Sequence, residues 1–135
     1  MCDIRRITPE QTIDLRHRVM WPDLPRAAVM LEDDAQGWHY GAFVDGALCG
    51  VGSFFTTDTR CRLRKLAVSP DHQGRGLATA LLDHAIADLR RAHVTELWCD
   101  ARCSAVGLYR KTGFEIGTEV FHKSGKAYVI ASRRL

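Results

Sequence analysis

Between Gln73 and Ala78 the chain reads Gln-Gly-Arg-Gly-Leu-Ala, a pattern with a physical use. Gly74 and Gly76 let the backbone turn sharply and approach another molecule closely, where side chains would obstruct it. An apolar stripe starts at Leu77, so the turn opens a helix whose first N–H groups have no partner inside that helix. Those groups, backed by the positive end of the helix dipole, favour phosphate. Arg75 adds a mobile positive charge. The competing reading is a glycine turn that merely joins two elements, and the glycines by themselves leave both readings open.

The elements that must position this turn can be read along the chain. Asp3 to Ile7 alternates as a short strand, and Thr8-Pro9-Glu10-Gln11 forms a capping-box pattern with proline at the first helical position. A helix is predicted from Pro9 to Val19. Trp21 to Asp34 contains Pro22 and Pro25 and reads as loop with one helical turn or a short helix. From Trp38 the period becomes two through Val44, and Asp45-Gly46 supplies a two-residue hairpin turn before a second strand from Ala47 to Phe55. A third antiparallel strand follows the Thr-Thr-Asp-Thr turn and runs from Arg60 to Val68.

That third strand slips phase. Cys61 and Leu63 share one face, while Leu66 and Val68 have the opposite parity. An inserted residue near Arg64-Lys65, a β-bulge, restores the register; a strand buried on both faces is the alternative. Beyond the glycine turn, Leu77, Leu81, Leu82, Ala85, Ile86 and Leu89 form the apolar stripe of a helix ending near His93. Thr95 to Cys99 is a strand. Ser104 is placed to cap a short helix through Thr112, stopped by Gly113. Phe114 to His122 and Ala127 to Ser132 read as a closing strand pair. The order is β-α-β-β-β-α-β-α-β-β, without internal repeats.

Gln73 to Ala78 fits Q-x-x-G-x-A and follows Leu66-Ala67-Val68-Ser69-Pro70. Farther on stand Asp100-Ala101-Arg102, Ala105, Tyr109, Lys111 and Gly113-Phe114. Together these resemble the two conserved regions of the GCN5-related N-acetyltransferase (GNAT) family, and the order of elements is similar to that family's over nearly the whole chain. The resemblance implies an α/β (α+β) fold with a mixed, mostly antiparallel central sheet, splayed strands and flanking helices. It implies an acyl-CoA-dependent N-acyltransferase that moves acetyl from acetyl-CoA to a primary amine by direct attack, with no metal.

The same resemblance implies particular roles. Backbone groups of Leu66, Ala67 and Val68 would bond the pantetheine arm and polarise the thioester carbonyl, as an oxyanion hole does. The pyrophosphate would rest on Gly74, Gly76, Leu77 and Ala78, with Gln73 and Arg75 beside it and Thr79 completing the cofactor-binding set. Tyr109 would protonate the departing thiolate. Two positions depart from the family pattern. Arg60 to Val68 holds no carboxylate, so the usual glutamate base is missing and Asp58, Glu32, Asp33, His39 and Glu119 are open candidates. Asp100 stands where asparagine is frequent.

Length and composition bound these readings. The 135 residues suit one domain spanning residues 1–135. A net charge of +3, from 19 basic and 16 acidic residues, is too small an excess to mark a nucleic-acid binder, although Arg60, Arg62, Arg64, Lys65 and Arg75 gather near one segment. Five cysteines, Cys2, Cys49, Cys61, Cys99 and Cys103, form no C-x-x-C pair and read as free thiols. With no apolar signal core and no membrane-length stretch, they point to the cytoplasm and to no membrane partner. Cys99, Cys103 and a histidine have no zinc-type spacing. The partner expected is a small-molecule or peptide amine; a homodimer is left open.

Two other functions compete with this reading. A dinucleotide-binding oxidoreductase would use Gly74-x-Gly76 and Asp100, but Thr79 replaces the third glycine and five residues separate strand from glycines. A non-catalytic acyl-CoA-binding regulatory module keeps the fold without chemistry; Tyr109 argues against it.

Overall fold

Asp45 and Gly46 take φ of 49° and 82°, the two positive values that a tight hairpin turn needs. They join β2 (Trp38–Val44) to β3 (Ala47–Thr57), as the alternating pattern predicts, and a turn at Asp58, φ 54°, leads into β4 (Arg60–Val68). The computed structural model describes residues 2–135. Its other strands are β1 (Asp3–Ile7), β5 (Glu96–Arg102), β6 (Glu115–Ile116), β7 (Phe121–Lys123) and β8 (Lys126–Arg134). The sheet runs β1-β2-β3-β4-β5-β8-β6, with β7 on β8. Three α-helices accompany it: α1 (Pro9–Leu15), α2 (Leu77–Arg91) and α3 (Val106–Lys111).

All six stripe residues of α2 are buried, and they pack with Tyr40, Phe54, Cys61, Leu63, Leu97 and Cys99. Tyr109 of α3 and Phe114 join the same cluster. On the opposite face, Leu15, Val51 and Ala67 form a smaller core, with Val19 and Met20 against it. The sheet is therefore covered on both sides, by α2 and α3 on one and by α1 on the other.

The phase slip of β4 is a bulge. Val51 faces Ala67 and Ser53 faces Arg64, so Gly52 stands opposite two residues, Lys65 and Leu66. Lys65 carries the positive φ, 58°. The extra residue returns Leu66 and Val68 to the main core, beside Cys61 and Leu63, while Ala67 turns to the smaller one. The doubly buried strand is thereby set aside.

Beside this bulge the sheet opens. β4 and β5 pair in parallel only at Arg60–Glu96, Cys61–Leu97 and Arg62–Trp98. Among the described residues this is the sheet's one parallel pair; every other ladder is antiparallel. That rules out the parallel sheet of a dinucleotide-binding oxidoreductase.

Three expectations need correction. The first helix keeps its capping box, but α1 ends at Leu15 and the chain continues as a wider π-turn, Arg16–Met20. Ser104 caps nothing: it lies inside a 3-10 turn, Cys103–Ala105, and α3 starts after Ala105 without a side-chain cap. The closing strand is broken: the Gly117 N–H still donates to the Ile130 carbonyl of β8 at 2.7 Å, but beyond it the chain leaves the ladder until Phe121. The segment before β2 holds two 3-10 turns, Arg26–Val29 and Asp34–Gln36.

Candidate active site

A cavity of about 550 Å³ occupies the gap where β4 and β5 part. Leu63 to Val68 form one wall, Cys99, Asp100 and Arg102 another, and the loop and first turn of α2 a third; Leu108 and Tyr109 of α3 close it from the main-core side. Past Arg62, backbone groups of β4 that point toward β5 have no strand partner there. This leaves hydrogen-bonding capacity along the slot.

Of the residues singled out in the sequence, Leu66, Ala67, Val68, Gln73, Gly74, Gly76, Leu77, Ala78, Thr79 and Tyr109 all line this one cavity. Gly74 and Gly76 have φ of 76° and 82°, and a Cβ on either would meet nothing within 4 Å. These glycines are set by backbone conformation, and their open side is space that a ligand can use. No side chain caps α2, so its first N–H groups are free to bind phosphate. Arg75 is exposed and does not line the cavity. The Gln73 amide donates to the Val68 carbonyl at 3.0 Å, tying the loop to the end of β4 rather than reaching outward.

Tyr109 is 7% exposed, edge-on to Phe114 with ring centroids 5.2 Å apart. Burial holds its hydroxyl well above the usual phenol value of 10, and the neighbouring Cys99 adds to the shift. Tyr109 is therefore protonated throughout the neutral range. Burial likewise pushes the Cys99 thiol up to about 12, which leaves it no thiolate with which to act as a nucleophile.

None of the five candidate bases lines the cavity. His39 is buried elsewhere, its ring nitrogens bonded to the Ser53 hydroxyl at 2.7 Å and the Asp34 carbonyl at 2.7 Å. It belongs to a network in which buried Arg16 donates to Asp34, Ser53 and the Val29 carbonyl. The carboxylate that does line the cavity is Asp100, accepting from Arg62 at 2.8 Å and Lys123 at 2.7 Å.

Sequence reasoning saw only part of the other end of the slot, as a basic cluster with no role assigned. Arg62 and Arg64 alternate along β4, and Trp98, Asp100 and Arg102 along β5, so one face of the opening carries charge from both strands. The period-two polar pattern was the signal, and it reads equally well as a solvated strand face. Val19, Met20, Lys123 and Tyr128 also reach this end, brought there by tertiary packing alone.

An open slot between two splayed strands, with a glycine-opened helix at one end and a buried neutral acid in its wall, fits a transferase acting on a long ligand that ends in phosphate. Comparisons with known proteins agree. Residues 3–114 match the acetyltransferase (GNAT) family. The chain is similar to the N-acetyltransferase YitI of Bacillus subtilis, with 31% identity over 134 residues, 93% of this chain and 90% of the relative. Among solved structures, an IAA acetyltransferase from Bacillus cereus matches all of both chains at 22% identity with a TM-score of 0.81. A GNAT family acetyltransferase from Elizabethkingia anophelis with acetyl-CoA bound matches 99% of this chain and 98% of its own, at 19% identity and a TM-score of 0.76. The chain belongs to the GNAT family and is an N-acetyltransferase. No helix among the described residues is long and apolar enough to cross a membrane.

Proposed function

We propose that this chain binds acetyl-CoA along the β4–β5 slot and transfers acetyl directly to an amine, with Tyr109 as the proton donor. The observation that carries the reading is that Leu66 to Val68, the glycine turn and Tyr109, drawn from three separate stretches of sequence, line a single cavity. The free N–H groups opening α2, with those of Gly74 and Gly76, hold the pyrophosphate; Gln73 keeps this loop fixed to Val68. The backbone groups that Leu66, Ala67 and Val68 leave free of β3 and of Gln73 bond the pantetheine arm and stabilise the oxyanion formed at the thioester carbonyl.

Acetyl-CoA supplies the electrophilic thioester. A neutral amine nitrogen forms the new C–N bond, the C–S bond breaks, and the thiolate takes the proton held on the Tyr109 hydroxyl. Among the described residues the lining carboxylate, Asp100, is held by Arg62 and Lys123, and the lining histidine, His72, sits beside Gln73 in the phosphate loop, so the amine loses its own proton to solvent. Tyr109 then recovers a proton through the open end of the slot.

The test is release of CoA thiol from acetyl-CoA across a panel of amines. Turnover with at least one amine, above the rate without amine, is the expected result. Tight acetyl-CoA binding with no amine-dependent release would make the chain a binding module instead.

A further inference from the structure

Charge is distributed unevenly along the slot. At the end away from the glycine turn, Arg62, Arg64, Lys65, Arg102 and Lys123 all line the cavity, against the single lining carboxylate Asp100. Asp100 is already shared by Arg62 and Lys123. Arg102 is the least satisfied of the five: its guanidinium stacks on Trp21, 5.3 Å from the ring centroid, but its Nε and one terminal nitrogen are buried with no hydrogen-bond partner. A buried guanidinium edge without an acceptor is costly unless something else supplies one. The cations also press on one another. Lys65 is held below the usual lysine value by burial and by Arg64, Arg16, Lys123 and Arg102. Arg64 is lowered by burial and by Arg62, with Asp33 and Asp100 opposing.

The cofactor's phosphates do not account for this cluster. Their cradle is the loop after Val68, and Arg62 is six residues up β4 from Val68, roughly 20 Å of extended strand. The cations instead surround the end of the slot open to Val19, Met20 and Tyr128, where an acceptor must enter to meet the thioester.

We propose that the acceptor amine carries an anionic group, a carboxylate or a phosphate, which Arg102, Arg64 and their neighbours bind while the nitrogen attacks. This rests on the acetyl-transfer reading above. The guanidinium groups of Arg64 and Arg102, both lining this end, carry planar pairs of N–H donors that match the paired oxygens of either anion. A polyamine or other polycation would instead meet like charge on entry.

The experiment compares kcat/KM, expressed per unprotonated amine, for paired acceptors: L-amino acids against their C-terminal amides, O-phosphoethanolamine against ethanolamine, and spermidine. The acid or phosphate member should be favoured by roughly 10- to 100-fold, the value of one or two charge-assisted hydrogen bonds. Which pair shows the larger ratio tells carboxylate from phosphate. Arg102→Gln, and separately Arg64→Gln, should cut that ratio about tenfold while leaving the acetyl-CoA Kd unchanged. Equal rates for charged and neutral partners, or a preference for spermidine, overturns the anionic acceptor and leaves acetyl transfer standing. So does an Arg102→Gln protein that loses acetyl-CoA affinity with the ratio intact, since the cations would then serve the cofactor. No turnover of any amine by a protein that still binds acetyl-CoA overturns the transfer and, with it, this inference.

Discussion

The Arg62 guanidinium and the Asp100 carboxylate lie 2.8 Å apart, just beyond Arg62–Trp98, the last residue pair that β4 and β5 share. The ion pair ties the two strands together where their backbones begin to separate. Lys123 of β7 reaches the same carboxylate oxygen, so the closing hairpin is fastened there too. Asp100→Asn keeps the shape and removes the charge. Because Arg62 is 32% exposed, solvent screens much of the loss, and about 1 kcal/mol is expected. For a chain of this length that is a fall of roughly 3 °C in Tm. A thermal melt checks it, with acetyl-CoA affinity unaltered because the proposed phosphate cradle lies at the other end of the slot.

Two substitutions at Gly76 separate backbone strain from electrostatics. Gly76→Ala places a Cβ in open space but at a φ of 82°, which costs about 1 kcal/mol in stability and leaves acetyl-CoA affinity little changed. Gly76→Asp takes the same positive φ with no more strain than alanine, since aspartate tolerates the left-handed region better, and sets a carboxylate against the pyrophosphate. Calorimetry should give a Kd at least tenfold weaker for the aspartate than for the alanine protein, an energy of about 1.4 kcal/mol or more. Equal Kd values would move the phosphate elsewhere.

The ion pair between buried Arg16 and part-buried Asp34 sets the acid limit of the fold. Burial by itself would raise the Asp34 carboxyl, but hydrogen bonds from Arg16 and the Leu31 N–H, with the Arg16 charge, leave it below the usual carboxylate value of 3.8. A group lowered in the folded state stabilises the fold above its unfolded pKa, and that contribution is lost as pH falls through the folded one. Stability should therefore drop steeply below about pH 4. Asp34→Asn leaves the fully buried Arg16 without its counter-ion, at a cost of about 3–5 kcal/mol at pH 7. It should also flatten the pH dependence below pH 4. Urea denaturation of both proteins at pH 7 and pH 3.5 measures both effects.

How much of this was legible in the sequence depended on whether the signal was local. The Asp45-Gly46 hairpin, the six-residue stripe of α2 and the bulge near Lys65 follow from turn chemistry and periodicity, because adjacent residues alone determine them. So does the placement of Leu66 to Val68 and Gly74 to Thr79 on consecutive elements. Arg16 gave no such signal. It is a cation in an amphipathic segment, and only the fold brings Val29, Asp34 and Ser53 around it. The cationic end of the slot was half visible: Arg62 and Arg64 stood out as a basic cluster, but Arg102 and Lys123 join them only through the β5–β8–β7 pairing. Ser104 misled because a serine before a helix is a good cap only at the right position, and the 3-10 turn shifts the start of α3 past it.

Tyr109 offers the sharpest test of mechanism, because its packing and its chemistry can be separated by one atom. The ring is held by Phe114 and the main core, and Tyr109→Phe keeps that ring in place. A merely structural tyrosine would lose little beyond its polar contact near Cys99. A proton donor would lose the chemical step, which should slow on the order of 100- to 10,000-fold while the acetyl-CoA Kd stays constant. The pH profile adds a second reading. Burial keeps the Tyr109 proton in place beyond pH 10, so its titration gives kcat/KM no falling limb below that pH. With no unpaired carboxylate in the cavity, the rising limb should follow the pKa of the acceptor amine itself and shift when a less basic amine is used. Single-turnover rates of wild type and Tyr109→Phe on one amine, followed by pH profiles with two amines of different basicity, test both halves. Equal single-turnover rates remove Tyr109 from the chemistry, and a rising limb that stays fixed when the amine changes points to a base on the protein.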